Sequence, residues 1–349
     1  MEHRVFMSGA LAAAIAAFAT LCVSPELVWA QAKPAAAASG SSKPKPWTPP
    51  RTGDGHPDLQ GVWSFSTATP FERPADLADK EFLTAVEAVE YAKKVVEARN
   101  KDTPGQSAQS DVEAAYNDFW WDQGTTMAGS RRTSLVIDPK TGTIPRLTSA
   151  GAKRAADSAA AWVGSPSGPE ERSLGERCIM GFNAGPPMAP SAYNNNVHIL
   201  QTRDHVAMLN EMIHNARIIP LDARPTLPQH VRQWAGSSRA RWEGDTLVVV
   251  TTNFRSEGTG QVALRGSSGD QMRLTERFTR SGPAALLYEF TVDDPGTWVR
   301  PWTVQMPMSL SAEPVYEYAC HEGNYGMTNM LAGARAKDRA ETAAPLPAR

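Results

Sequence analysis

Short apolar runs with a period of two dominate the chain from about residue 196 onward. They are 197–202, 205–213, 217–221, 238–243, 246–252, 272–279, 286–292, 303–308 and 315–320, each separated from the next by turn-forming residues. Strands place alternate side chains on opposite faces, so nine such runs with few helix signals predict an antiparallel meander or barrel. Upstream, Leu59-Gln-Gly-Val-Trp-Ser-Phe-Ser66 reads as a further strand, with Trp63 and Phe65 on one face. Residues 79–100 predict a helix whose apolar stripe is Phe82, Val86, Val89 and Val96, with Lys93 between them. Residues 148–162 predict a second, Ala-rich helix, and 133–138 a short strand. The fold class expected is therefore mainly β, with N-terminal helices and long loops.

Register sharpens the pattern into candidate chemistry. Gly244-Asp245 is a two-residue hairpin loop, which pairs Glu243 with Thr246 and Arg241 with Val248. Arg239, Arg241 and Glu243 then share one face, opposite Trp242. A turn at Ser281-Gly-Pro-Ala284 places Glu276 directly across from Glu289, on a face that also carries Met272, Leu274 and Phe278. Carboxylates that close repel, and one retains a proton unless a cation intervenes. That arrangement suits general acid–base catalysis. With Arg239 or Arg241 as the cation it equally suits a buried ion network.

A second candidate cluster is Glu317, His321, Glu322, Asn324 and Tyr325, where His321 is a proton-transfer candidate. A third is His205, Glu211, His214 and Arg217, with a turn at His214-Asn215 that sets Met212 opposite Arg217. Metal binding would need His205, His214 and His321 to converge, and no ligand-type spacing supports it, so no metal and no other cofactor is expected. Trp242, Trp298 and Trp302 beside Arg and Asn side chains suit an aromatic or sugar-derived ligand.

The first residues suggest export. Arg4 precedes an uncharged Ala-rich run from Val5 to Val23, followed by small residues at Val28 and Ala30 or at Ala30 and Ala32. This predicts a signal peptide over 1–32, with a membrane anchor as the alternative. Residues 33–57, rich in Ala, Ser, Lys and Pro, are expected to be a disordered linker. Residues 58–340 are expected to form a single domain, and 341–349 a disordered tail. Cleavage would leave two cysteines, Cys178 and Cys320. In an oxidising compartment they make a reasonable disulfide, closing a loop of about 140 residues, with two free thiols as the alternative.

The net charge of -2 in 349 residues gives no long-range attraction for nucleic acid or an anionic membrane. Gly-x-Ser-x-Gly, phosphate-loop and Cys-x-x-Cys motifs are absent from the sequence. Gly258–Gly269 reads as a mobile loop over the barrel mouth rather than a phosphate cradle.

Two resemblances add to this reading. Gly61-Val-Trp63 resembles the Gly-x-Trp first strand of lipocalin-like barrels, which implies a barrel holding a small apolar ligand. Tyr193-Asn-Asn-Asn196, Glu211-Met-Ile-His214, Arg217-Ile-Ile-Pro-Leu-Asp222, Arg241-Trp-Glu-Gly-Asp-Thr246, Thr251-Thr-Asn-Phe254 and the segment Tyr316 to Gly326 are similar to an uncharacterised family of secreted bacterial proteins. That resemblance implies export and one fold, and carries over no catalytic residue.

The expectation that follows is a periplasmic or secreted, cofactor-free acid–base enzyme (lyase, isomerase or hydratase). Its substrate would be a small aromatic or sugar-derived molecule. Glu276, Glu289, His321 and Glu317 are the catalytic candidates. Arg217, Arg239, Arg241, Trp242, Trp298, Trp302, Asn324 and Tyr325 are the binding candidates. The alternatives are a lipocalin-like binding protein without chemistry and an envelope interaction protein.

Overall fold

A computed structural model describes residues 47–99, 122–163, 166–222, 224–255, 264 and 266–343. Its ten strands are β1 (Gly61–Ser64), β2 (Val136–Asp138), β3 (Asn196–Gln201), β4 (His205–Asn210), β5 (Ala216–Pro220), β6 (Ser237–Glu243), β7 (Thr246–Thr252), β8 (Arg273–Gly282), β9 (Ala285–Asp293) and β10 (Trp302–Leu310). They form one antiparallel sheet in the order β5-β4-β3-β1-β10-β9-β8-β7-β6, with β2 added along β10. The two end strands, β5 and β6, come side by side without a hydrogen-bonded ladder. The result is a mainly β, nearly closed barrel with one open seam.

The period-two pattern decides what lies inside. Leu286, Tyr288, Phe290 and Val292 of β9 are buried, as are Leu274, Glu276 and Phe278 of β8 and Trp302, Val304, Met306 and Met308 of β10. Their outward neighbours are more exposed. Trp63 from β1 is fully buried; its indole N–H donates to the Leu59 carbonyl at 2.8 Å, and the Arg280 guanidinium lies 5.1 Å from its ring centre. Gly61 precedes it with φ +129, where a Cβ would come within 2.8 Å of the Leu310 side chain. Trp298 and Trp302 pack edge to face at 5.5 Å between ring centres in the same core.

Eight of the nine expected runs contain strands. Residues 315–320 instead run along the surface without a ladder, followed by a helix that the periodicity did not predict, α3 (Tyr325–Ala343). It takes in positions 341–343, which were expected to be tail. The Glu243–Thr246 and Arg241–Val248 pairs form as expected.

The β8–β9 register differs from expectation. Gly282 pairs with Ala285, and an irregularity between Arg280 and Gly282 sets Arg280 opposite Leu286. Glu276 therefore faces Phe290, while Glu289 faces Arg277. The extra residue, Ser281, shifts the count by one, as a bulge does. The β4–β5 connection is likewise longer than a tight turn. Residues 211–215 make it, through a 3-10 turn at Met212–His214, and Met208 is the residue opposite Arg217.

Helix α1 (Ala85–Arg99) forms, but not with the expected inward face. Val86 and Val89 are 68% and 71% exposed, and Phe82, just before the helix, is half exposed; Ala88 and Ala92 are the residues buried. The buried stripe is thus made of small side chains, which hydrophobic periodicity alone does not single out. Thr84 and Glu87 cap its start reciprocally: the Glu87 N–H donates to Thr84 Oγ1 and the Thr84 N–H to Glu87 Oε2. Helix α2 (Ser149–Val163) begins as expected, with Thr148 Oγ1 accepting from the Gly151 N–H.

Order also begins earlier than Asp58. Arg51 pairs with Asp245 at 2.8 Å, and His56 stacks on Trp242 at 4.8 Å and 5°, fixing residues of the expected linker to the β6–β7 hairpin. Residues 1–32, expected to be a signal peptide, the expected linker up to residue 46, and 344–349 lie outside the described residues. So do 100–121, which include the aromatic and acidic run Asn117-Asp-Phe-Trp-Trp121, and 256–263 and 265 of the glycine-rich stretch. The end of that stretch is pinned: Ser267 and Ser268 are buried and hydrogen-bond to Asp294.

Cys178 and Cys320 form a disulfide across 142 residues. It ties the 315–320 segment to the loop before β3. Replacing both cysteines with serine is expected to lower stability by about 2–5 kcal/mol in urea unfolding, because the long loop is then unrestrained in the unfolded chain. Glu87 carries a second prediction. The Lys80 ammonium and the Thr84 N–H and hydroxyl hold its carboxyl down, at a pKa of about 2 against an ordinary 4.5. A lowered folded-state pKa adds stability above the unfolded value, and that increment disappears as pH falls from 4.5 towards 2. Glu87→Gln should therefore flatten the acid limb of the stability profile in that window and leave it parallel to wild type above pH 5.

Candidate functional site

The barrel interior holds one buried ion pair, built by three strands. Arg217 points inward from β5 because it alternates with the exposed Ala216 and Ile218. Glu276 points inward from β8 for the same reason, at 0% exposure. The two meet across the interior in a bidentate pair, Nη1 to Oε2 at 2.7 Å and Nη2 to Oε1 at 3.0 Å. Tyr288 of β9 donates its hydroxyl to Glu276 Oε1 at 2.8 Å and accepts from the Met188 N–H at 3.1 Å. Arg217 Nη2 also lies 3.4 Å from Met208 Sδ.

The electrostatics are those of a closed network. Burial works against the Arg217 charge, but the Glu276 carboxylate outweighs it and raises the Arg217 pKa, so the guanidinium stays protonated. Burial and then the Glu276 charge push the Tyr288 hydroxyl well above its ordinary range, so it remains a donor. Both Glu276 oxygens are occupied. One donor is left over: Arg217 Nε is buried without a hydrogen-bond partner among the described residues.

That residue also lines a cleft of about 280 Å³ at the open seam between β5 and β6. The walls are Ala216, Arg217, Ile218 and Pro220 on one side and Ser237, Ser238 and Arg239 on the other, with Leu227, Gln233, Ala235 and Gly236 between. Gly236 sits at φ +66, and a Cβ there would meet the Thr252 carbonyl oxygen at 2.6 Å, so glycine is what allows this turn into β6. Arg239 reaches the cleft from the outward face of β6. Its Nη1 and Nη2 donate to the Ser238 and Pro225 carbonyls at 2.8 and 3.3 Å, and its Nε is likewise buried and unpartnered.

The other expected site residues do not join this network. Glu289 lies half-buried on the outer face, accepting from Gln305 at 3.2 Å; the opposed carboxylate pair is replaced by Glu289 across from Arg277. Arg241 is exposed and pairs with Glu243, so it is not the interior cation. That cation is Arg217, from a strand whose register the sequence misplaced. Trp298 and Trp302 are core residues, and Trp242 is covered by His56, so none presents a free ring face in the cleft.

Glu317, His321 and Tyr325 are exposed. They and half-buried Asn324 belong to the segment around the disulfide. Glu317 and Asn324, with Glu176, Tyr318 and both cysteines, line a separate shallow cleft of about 420 Å³. Asn324 Nδ2 donates to the Glu176 carbonyl at 3.1 Å. His205 begins β4, whereas His214 follows its far end and contacts the Tyr318 carbonyl through Nδ1 at 3.1 Å, so the histidines that metal binding would need together do not converge. Among the described residues no group of three His, Cys, Asp or Glu side chains is placed to hold a metal ion. Glu211 is buried and accepts from Asn194 and Asn196 at 2.8 and 2.6 Å, a link that holds the β4–β5 connection to the start of β3.

Tyr288 and the seam residues Leu227, Gln233 and Ser237 were not singled out from sequence. The inward register of β9 marks Tyr288 as the polar member of an apolar face. The seam has no sequence signal, since it is defined by which strands fail to pair. No protein-family model and no curated protein matches the chain.

Breaking the pair by halves is expected to be severe. Arg217→Met leaves the Glu276 carboxylate buried and uncompensated, a loss of about 3–5 kcal/mol, whereas Arg217→Met with Glu276→Met should recover most of it. Tyr288→Phe removes one donor and orphans the Met188 N–H, for about 1–3 kcal/mol. Chemical denaturation of the four proteins measures all three differences; equal losses in the single and double variants would contradict the network.

Proposed function

We propose that this chain is a small-molecule binding protein that works outside the cytoplasm, and that its ligand enters at the seam between β5 and β6. The observation that carries the reading is the seam itself. Among the described residues, the break in the barrel ladder coincides with a cleft lined by Arg217 of the interior network and by Arg239. Ligand sites are commonly concave and supplied with a few well-placed polar groups; this cleft of about 280 Å³ mixes polar and apolar walls and lies just below the usual size range.

Binding without chemistry fits the geometry better than acid–base catalysis. General acid–base work needs a carboxylate with an oxygen free to take a proton. Glu276 has both oxygens engaged, Glu289 faces outward, and His321 is exposed near the disulfide. The small apolar ligand implied by the lipocalin-like resemblance agrees with the apolar part of the cleft lining.

A disulfide is compatible with an oxidising compartment, and no helix among the described residues is long and apolar enough to cross a membrane. Export to the periplasm, on the strength of the N-terminal Arg4 and the Ala-rich run, completes the proposal.

Mass spectrometry under native conditions, on protein released from the periplasm of its own cells, tests the reading. Wild type should retain a small molecule at one per chain, and Ala216→Trp, which fills the seam from an exposed position, should not. A ligand-free wild type, or a ligand equally retained by Ala216→Trp, would place function elsewhere. Turnover of the retained molecule that Glu276→Gln abolishes would restore the acid–base reading.

A further inference from the structure

The seam cleft carries information about the charge of its occupant, and the inference drawn from it rests on the reading of the cleft as the binding site. Two arginines line it, and their charges are balanced differently. Arg217 is neutralised by Glu276 in a complete bidentate pair. Arg239 has no carboxylate within ion-pair distance among the described residues. Its Nη groups are spent on two backbone carbonyls, which do not cancel charge. Asp222 lies within Coulombic reach of Arg239 but is itself paired with Arg224. Counting Arg217, Glu276, Arg239, Arg224 and Asp222 together leaves one positive charge in excess.

The same two arginines hold the two unpartnered donors. Arg217 is 7% exposed, and its Nε is a buried N–H with nothing to bond; Arg239 Nε is in the same state on the facing strand. Donors buried to that degree are out of a ligand's reach, so what the cleft offers an occupant is the unbalanced charge of Arg239 rather than either Nε–H. Leu227, Ile218, Pro220, Ala216 and Ala235 supply the rest of the lining, without an aromatic ring or a carboxylate among the cleft residues.

We infer that the seam cleft binds a small monocarboxylate, its charge matched by the Arg239 guanidinium and its compact apolar body lying against Leu227 and Pro220. A carboxylate has the single negative charge that the cleft lacks, and it accepts charge-assisted hydrogen bonds from a guanidinium. A dianion would leave an uncompensated negative charge against Glu276, and a neutral carbonyl would leave the charge of Arg239 unmatched.

The test is calorimetric titration of the full chain, freed of retained ligand, with benzoate, hexanoate and their neutral partners benzamide and hexanamide. At least one acid should bind ten-fold or more tightly than its amide. Arg239→Gln should erase that preference while leaving the thermal midpoint close to wild type, since Arg239 is not part of the buried pair. Ala216→Trp should abolish acid binding. Amides that bind as well as acids, or an acid preference that Arg239→Gln leaves intact, would overturn the carboxylate assignment while the seam remains the site. Acids that bind Ala216→Trp as tightly as wild type would remove the site itself. A native ligand displaced from wild type by none of the four compounds, and found to be uncharged, would also overturn the assignment.

Discussion

The salt bridge between Arg217 and Glu276 joins two parts of the barrel that no strand ladder joins. On one side, β3–β5 connect to β6–β10 through β1, strand by strand. On the other side the ladder stops, and the side-chain pair reaches from β5 across the interior to β8. A buried ion pair gains little net stability over well-packed apolar residues, because desolvation offsets most of the attraction. Its value here is geometric. It fixes where β5 sits relative to the rest of the sheet without closing the seam beside it. Tyr288 and Met188 complete the hydrogen bonding, so that the arrangement is satisfied everywhere except at the guanidinium edge next to the cleft.

Much of this architecture was legible in the sequence because period two is a strong signal wherever one face is buried. The β6–β7 hairpin was readable to the residue, since Gly244-Asp245 specifies a two-residue loop with a fixed register. The β8–β9 hairpin was not, although Glu276 was placed on the correct, inward face. Ser281 adds an unpaired residue near the turn, and nothing in Ser281-Gly-Pro-Ala284 distinguishes that bulge from a longer loop. The partner of Glu276 therefore came out wrong by one residue, and a pair of carboxylates was expected where a carboxylate and a phenylalanine stand opposite each other.

Arg217 shows the limit more sharply. Its role depends on two strands about 60 residues apart meeting across a closed interior, a relation that no local pattern encodes. Helix α1 shows another. Val86 and Val89 made the stronger stripe on paper, but Ala88 and Ala92 are the helix residues that are buried, and side-chain hydrophobicity alone does not mark them. The disulfide was accessible by contrast, since the cleavage expected from the N-terminal pattern would leave two cysteines and one pairing to consider.

The unpaired borders of β5 and β6 have a consequence for how the molecule behaves among its neighbours. Exposed strand borders ordinarily invite a foreign polypeptide to add on, the route to amyloid and to domain exchange. Here the two borders shelter each other. Pro220, which lacks an amide hydrogen, closes one of them, and the charged residues Arg239 and Arg241 flank the other. The gap is a small cleft that offers a stranger's backbone little on which to build, so the opening can persist without becoming a nucleus for self-assembly.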